Sequence, residues 1–557
     1  MNSATFKTLL ARAAGLVGTG LAFIGALTVL FFVLLFSAGK NMGEIKMMPD
    51  KIILAYEFNS TLSETQGRPS LDRPLLKPQE TIHDVTAALT TAARDPRVLG
   101  FIARLEDIRL APAEVRELRE AVAAFRAGGK TAEIFSASLD GMGEYYLASN
   151  FDRIWLQPVG IVAANGIGAE IPFARGVLEK IGLTADIMRR GVYKSMPESL
   201  TAERMSDESR RMTEALVKGI AGTMTAEISA ARKITAETMQ KIIDGAPYTD
   251  VEALNLSLID KIGYADEMRE EALKKHGLDE DAIIDLADYA AARRHGRSGK
   301  KIALISGSGE LTAEGGEFSA KETAETFNDA VKDKNVAAIV FRINSPGGSP
   351  AAAETVRRAV IRAQEKGKPV VVSMGGAAAS GGYWAASGAK KIVAQPTTIT
   401  GSIGVFGGKI VAENLWKKLG INWETVKSGE NAGMMSVNRP FTPAERARYE
   451  AQLNAIYDAF ITRVAEGRGM PREKAQSLAE GYVFTGAQAK ENELVDALGG
   501  IETAAAMARE AAGIGPDEET DISPFPPAKT PLEIFIKLAA EGVFFMPLVD
   551  IRALGET

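Results

Sequence analysis

The chain has 557 residues, 46% hydrophobic and 24% charged, a globular composition with length for about two to four domains and unlike a disordered or collagen-like polymer. Its 65 basic and 71 acidic side chains leave a net charge of −6, without the basic footprint of a nucleic-acid binder. With no cysteine and only three histidines, His83, His276 and His295, the sequence argues against disulfides, thiolate metal sites, a histidine triad and a histidine-rich metal site, and it calls for no cofactor.

No charged residue falls between positions 13 and 39, and the apolar core from 16 to 36 can cross a bilayer, which takes about 20 apolar residues. Residues 1–46 therefore read as a cytoplasmic stub and an uncleaved signal anchor, with a cleaved signal peptide, cut near Ser37 or Gly39, as the alternative. Lys7 and Arg12 precede the span and Lys40, Glu44, Lys46 and Asp50 follow it, so charge only leans toward N-terminus inside, body outside. Residues 47–290 read as a first α/β unit, with a short strand at 184–188 followed by Gly191-Val192-Tyr193-Lys194-Ser195. A polar, glycine-containing linker spans 291–300.

The second unit, 301–515, opens with apolar runs at 301–306 and 337–343, as expected of buried parallel strands. A helix at 351–365 leads to a strand at 369–373, and amphipathic helices at 443–463 and 471–480 suit a cap or a subunit interface. In the tail, 516–557, the segment 534–548 is interrupted by Lys537 and Glu541; it reads as an amphipathic docking or membrane-surface element, or as core packing.

Sliding the chain against itself exposes a repeat at an offset of 238 residues. Over 98–158 against 336–396, sixteen of sixty-one positions are identical without a gap, among them Arg104/Arg342, Pro112/Pro350, Gly143/Gly381 and Gln157/Gln395, about four times what composition alone gives. The repeat is most informative where it fails. Asn344-Ser345-Pro346-Gly347-Gly348 faces Glu106-Asp107-Ile108-Arg109-Leu110, Ser380 faces Met142, and Lys194 faces Ala432. Paired glycines after a strand make a tight turn, or let backbone N–H groups approach a ligand as an oxyanion site requires.

Ser380 stands in Ala377-Ala378-Ala379-Ser380-Gly381-Gly382-Tyr383, at a strand-to-helix junction where small neighbours serve close packing or leave room for a substrate backbone. Without a nearby histidine, a serine nucleophile needs another base, and a desolvated lysine is the usual one. Taken alone, Lys194 reads as a surface amine. One copy holds lysine without serine and the other serine without lysine, as if one active site were divided between duplicated domains.

These residues, with Thr400-Gly401-Ser402-Ile403-Gly404 and Tyr193-Lys194-Ser195, resemble the signal peptide peptidase A (protease IV) family in its long, duplicated form, over nearly the whole chain. The resemblance implies two tandem Clp/crotonase-like domains behind an N-terminal transmembrane helix, Ser380 as nucleophile and Lys194 as base. It further implies a bacterial inner-membrane location with the body on the periplasmic side. The expected assembly is a homotetramer with a bowl-shaped interior that degrades cleaved signal peptides and other hydrophobic peptides. In that scheme the amides of Gly348 and Gly381 hold the oxyanion, Gly347 shapes the turn, and Ser402 orients Lys194 or is only a turn residue. No catalytic position departs from the pattern, whereas residues 59–76 and the tail after Gly515 match poorly. An acyl-CoA hydratase or isomerase on the same fold, or a non-catalytic membrane scaffold, are the other readings.

Overall fold

The computed structural model describes residues 25, 48–65, 80–294, 300–515, 518 and 520–527. Apart from Gly25, the expected anchor at 16–36 lies outside the described residues, as do the segment 534–548 and half of the linker. Among the described residues no helix is long and apolar enough to cross a membrane. The chain divides into two compact units, Met1–Asp50 with Pro69–Lys77 and Lys529–Thr557, and Lys51–Arg68 with Pro78–Ala528. The second unit is mixed α/β and carries both repeats.

The first repeat forms a six-stranded parallel sheet in the order Lys261–Ile262, Arg153–Leu156, Thr131–Ser136, Val98–Leu105, Ile52–Phe58, Ile283–Asp285. The second sheet runs Val483–Thr485, Ile399–Gly401, Val370–Ala379, Val336–Ser345, Lys300–Ser308, Thr520–Pro524, and Lys391–Ala394 also pairs with Val370–Ala379. Their central strands are apolar runs because helices cover both faces. Helix Pro350–Glu365 shows how such a cover is built. Ser349 caps it by accepting from the Ala352 amide, Pro350 occupies its first turn, and Ala352, Val356, Ala359, Val360 and Ala363 form its buried stripe.

Strand Val370–Ala379 runs six residues beyond the expected 373, because Ala377, Ala378 and Ala379 pair with Ile399, Thr400 and Gly401. Its counterpart Thr131–Ser136 stops short. The extension carries Ser380 out at its tip. The helix expected at 443–463 is Pro443–Arg468, and it covers its own chain's core through Leu453, Phe460, Ile461 and Val464, with Phe460 stacked on Trp384 at 4.6 Å.

Among the contacts that join the repeats, two flank the strands just described. Strand Thr184–Arg190 of the first pairs antiparallel with Val405–Val411 of the second, from Val405 opposite Arg190 to Val411 opposite Thr184. At the other joint the fully buried Arg342 pairs with Glu117 at 2.7 Å and with Glu64. Asn344 donates to Glu114 at 2.7 Å and accepts from the Ala377 amide at 3.0 Å. Burial, with the charge of Glu64 nearby, pushes the Glu114 and Glu117 carboxyls up to about 7.

Removing one partner of a buried ion pair strands the other charge. The substitution Arg342→Met is therefore expected to lower unfolding free energy at pH 8 by about 3 to 5 kcal/mol. The deficit should shrink at pH 5, where the orphaned carboxyls take up protons; denaturant melts at both pH values measure it, and an undiminished deficit would contradict the assignment.

Candidate active site

Ser380 sits between the end of Val370–Ala379 and the start of helix Gly381–Ala386, with φ 53° and ψ −120°. Its amide donates to the Gly401 carbonyl at 2.9 Å and its carbonyl accepts from Trp384 at 2.9 Å, so both sides of the turn are fixed. A non-glycine residue at positive φ costs roughly 1 to 3 kcal/mol and persists where surrounding structure imposes it. Ser380 and Ser402, with φ 52°, are two such residues in one site.

The Asn-Ser-Pro-Gly-Gly segment packs directly against this turn. Gly347 has φ 113°, and a side chain there would bring Cβ within 2.8 Å of both Ser380 Cβ and the Gly381 amide nitrogen. At Gly348 a Cβ would collide with the backbone of Leu311. Leu311 in turn pins the segment, donating to Gly347 O at 2.8 Å and accepting from Ser349 N at 2.9 Å. The amides of Gly348 and of Gly381, the first residue of its helix, have no acceptor among the described residues. They lie close together, Gly348 N being 3.1 Å from the position of a Gly381 Cβ. Such a pair of free donors beside a hydroxyl is what an acyl-transfer oxyanion needs.

Lys194 arrives from the first repeat, on the turn that follows Thr184–Arg190. Its Nζ stands 3.0 Å from Ser380 Oγ, 2.8 Å from Ser402 O and 2.9 Å from Ser402 Oγ. Lys194 is only 4% exposed, and burial pushes its amine down to about 7. A neutral amine has two N–H donors and one lone pair. Ser402 offers two acceptors, which leaves the lone pair for the Ser380 hydroxyl proton. The structure thus brings Ser380, Lys194 and Ser402 into one hydrogen-bonded group and sets Gly347, Gly348 and Gly381 beside it.

Sequence reasoning missed the segment Glu480-Gly481-Tyr482, which touches both halves of the site. Tyr193 N donates to Glu480 O at 2.8 Å, and Val192 N to the Glu480 carboxylate at 3.2 Å. Gly481 N donates to Ile403 O at 3.0 Å and Ser402 N to Tyr482 O at 2.7 Å. A glycine following helix Arg472–Ala479 reads as an ordinary helix terminator, which hides this contact in the sequence. Among the described residues no group of three His, Asp or Glu side chains converges as a metal site.

A model of peptidase family S49 matches the chain twice, at residues 126–279 and 362–515, once in each repeat. Protease 4 of Salmonella typhi is 32% identical over 451 residues, covering 78% of this chain and 72% of that protein. The chloroplastic serine protease SPPA of Arabidopsis thaliana is 30% identical over 438 residues, 76% of this chain and 64% of that one. Protease 4 of Haemophilus influenzae is 28% identical over 509 residues, 86% and 82% of the two chains. With both repeats matched and a hydroxyl, a buried amine and two free amides gathered between them, the chain belongs to peptidase family S49 and is a serine protease.

Proposed function

We propose that Ser380 is the nucleophile and Lys194 the general base of this protease. The observation that carries the proposal is the 3.0 Å contact between a buried amine and a hydroxyl contributed by different repeats. Neutral Lys194 takes the Ser380 proton as Oγ attacks the peptide carbonyl. The amides of Gly348 and Gly381 receive the oxyanion, and each such donor is worth about 3 to 4 kcal/mol. The Lys194 ammonium protonates the leaving amine, which departs and leaves an acyl-enzyme. Lys194, neutral again, then takes a proton from water as the water oxygen attacks the acyl carbonyl. The ester bond to Oγ breaks, Oγ takes that proton back from the Lys194 ammonium, and the acid product leaves with both groups restored. Ser402, through its carbonyl and hydroxyl, keeps the lone pair aimed at Ser380.

The proposed substrates are cleaved signal peptides and other hydrophobic, extended peptides. Ala378, Ala379, Gly381 and Gly382 around the serine are small and buried, which favours apolar chains and keeps the amine dry. The same reading places the chain in the bacterial inner membrane through residues 16–36, with the body on the periplasmic side, and assembles Clp/crotonase-like domains into a homotetramer. Its support is the uncharged run in the sequence and the family resemblance.

Ser380→Ala and Lys194→Ala should each lower peptide hydrolysis by at least about 1,000-fold, and the double variant should be little worse, because the two act as a unit. In the wild type, kcat/KM should rise with pH through a midpoint near about 7, falling roughly tenfold per unit below it as the amine protonates. A profile flat from pH 5 to pH 9 would remove Lys194 as base.

Peptides rich in Leu, Ala and Val should be cut far faster than acidic peptides or a compact folded protein, with chelator present and ATP absent. Equal rates for the folded control, or loss of cleavage on chelation, would contradict the substrate reading. Protease added to intact spheroplasts should digest the body, and full protection before lysis would place it in the cytoplasm.

A further inference from the structure

Lys194 and Ser402 belong to different repeats, and besides the ribbon that pairs Arg190 with Val405, residues 480–482 touch both of their loops. On one side this segment accepts the Tyr193 amide at 2.8 Å through the Glu480 carbonyl and the Val192 amide at 3.2 Å through the Glu480 carboxylate. On the other side it holds Ile403 O at 3.0 Å through the Gly481 amide and the Ser402 amide at 2.7 Å through the Tyr482 carbonyl. The rings of Tyr193 and Tyr482 meet edge to face at 5.0 Å. Between these contacts the backbones approach so closely that Gly481, with φ 80°, leaves no room for a methyl group. A Cβ there would lie 2.5 Å from Lys194 N and 2.8 Å from Lys194 Cβ, and one at Gly191 would lie 2.5 Å from Glu480 C.

We propose that Glu480 and Gly481 are positioning residues for the Ser/Lys reaction, forming a bridge that sets how far the lysine loop stands from Ser402 and Ser380. Neither touches the reacting atoms. Glu480 fixes the loop by its two acceptors, and Gly481 fixes the spacing by having no side chain. Nearby charges are engaged with one another: Arg189 pairs with Glu198 at 2.6 Å, Arg190 with Glu450 at 3.7 Å, and Arg211 with Glu208 at 2.8 Å. The hydroxyls of Tyr193 and Tyr482 are the other titratable groups at the bridge, and Tyr457 lies by Glu480. Burial alone pushes Lys194 down, so any movement that readmits water to the amine acts on its protonation directly.

The inference rests on the Ser/Lys reading, and Lys194→Ala, run alongside, tests that reading separately. The variants are Gly481→Ala, Glu480→Ala and Glu480→Gln, each measured for kcat, KM, the pH midpoint of kcat/KM and thermal unfolding. Gly481→Ala should lower kcat by roughly 100-fold, the scale of a displacement of about 1 Å at a reacting pair, with KM little changed. Glu480→Ala should lower kcat less. In both, the pH midpoint should move upward, and Glu480→Gln, which keeps a carbonyl for the Val192 amide, should restore most of the rate and the midpoint. Wild-type kcat and midpoint in the folded Glu480→Ala variant would overturn the proposal, as would a fall in kcat that follows lost stability without any shift of midpoint. Should Gly481→Ala fail to fold, the Glu480 pair decides alone. An active Lys194→Ala would overturn the dyad and this bridge with it, whereas an inactive Lys194→Ala beside unaffected bridge variants would overturn the bridge only.

Discussion

A primary amine held out of water, 3.0 Å from a serine hydroxyl, is the constraint around which this molecule is organised. Lowering the Lys194 pKa from 10.5 to about 7 costs roughly 5 kcal/mol at neutral pH. Between about 7 and 10.5 the unfolded chain binds the extra proton, so this cost diminishes as pH rises across that window. Strained backbone at Ser380 and Ser402 adds to it. Such costs are sustained only where the surrounding structure is rigid. Here that structure is a parallel sheet extended to Ala379, a pinned glycine segment, and the inter-repeat ribbon that delivers the lysine.

Duplication explains how the two groups come to be on separate repeats. Helices Pro112–Ala127 and Pro350–Glu365, and strands Arg153–Leu156 and Lys391–Ala394, occupy equivalent places at the 238-residue offset. The second repeat alone extends its strand to present a serine, and the first alone places a lysine after its ribbon strand. The geometry between repeats therefore matters as much as the geometry within either. Arg342, Asn344 and the ribbon of Thr184–Arg190 with Val405–Val411 are the seams where it is set.

Much of this was legible in the sequence because duplication supplies its own comparison. The places where one copy departs from the other pointed to Ser380, Lys194 and the Asn-Ser-Pro-Gly-Gly segment, and apolar runs located the central strands. The full length of Val370–Ala379 was not legible, since a stretch of glycine and alanine carries little strand signal and is ordered by its neighbours Val336–Ser345 and Ile399–Gly401. Nor was the bridge at 480–482, which acts through backbone groups, the Glu480 carboxylate and the absence of a side chain at Gly481. Contacts of that kind follow from tertiary approach and leave no pattern along the chain.

The most direct test of the account is the titration of Lys194 itself, by NMR of side-chain-labelled lysine in the full-length enzyme, with its signal assigned by loss in Lys194→Arg. The account predicts a midpoint of about 7, far below the ordinary lysine value of 10.5. A midpoint at the ordinary lysine value would mean that the amine is charged at working pH and cannot take the Ser380 proton.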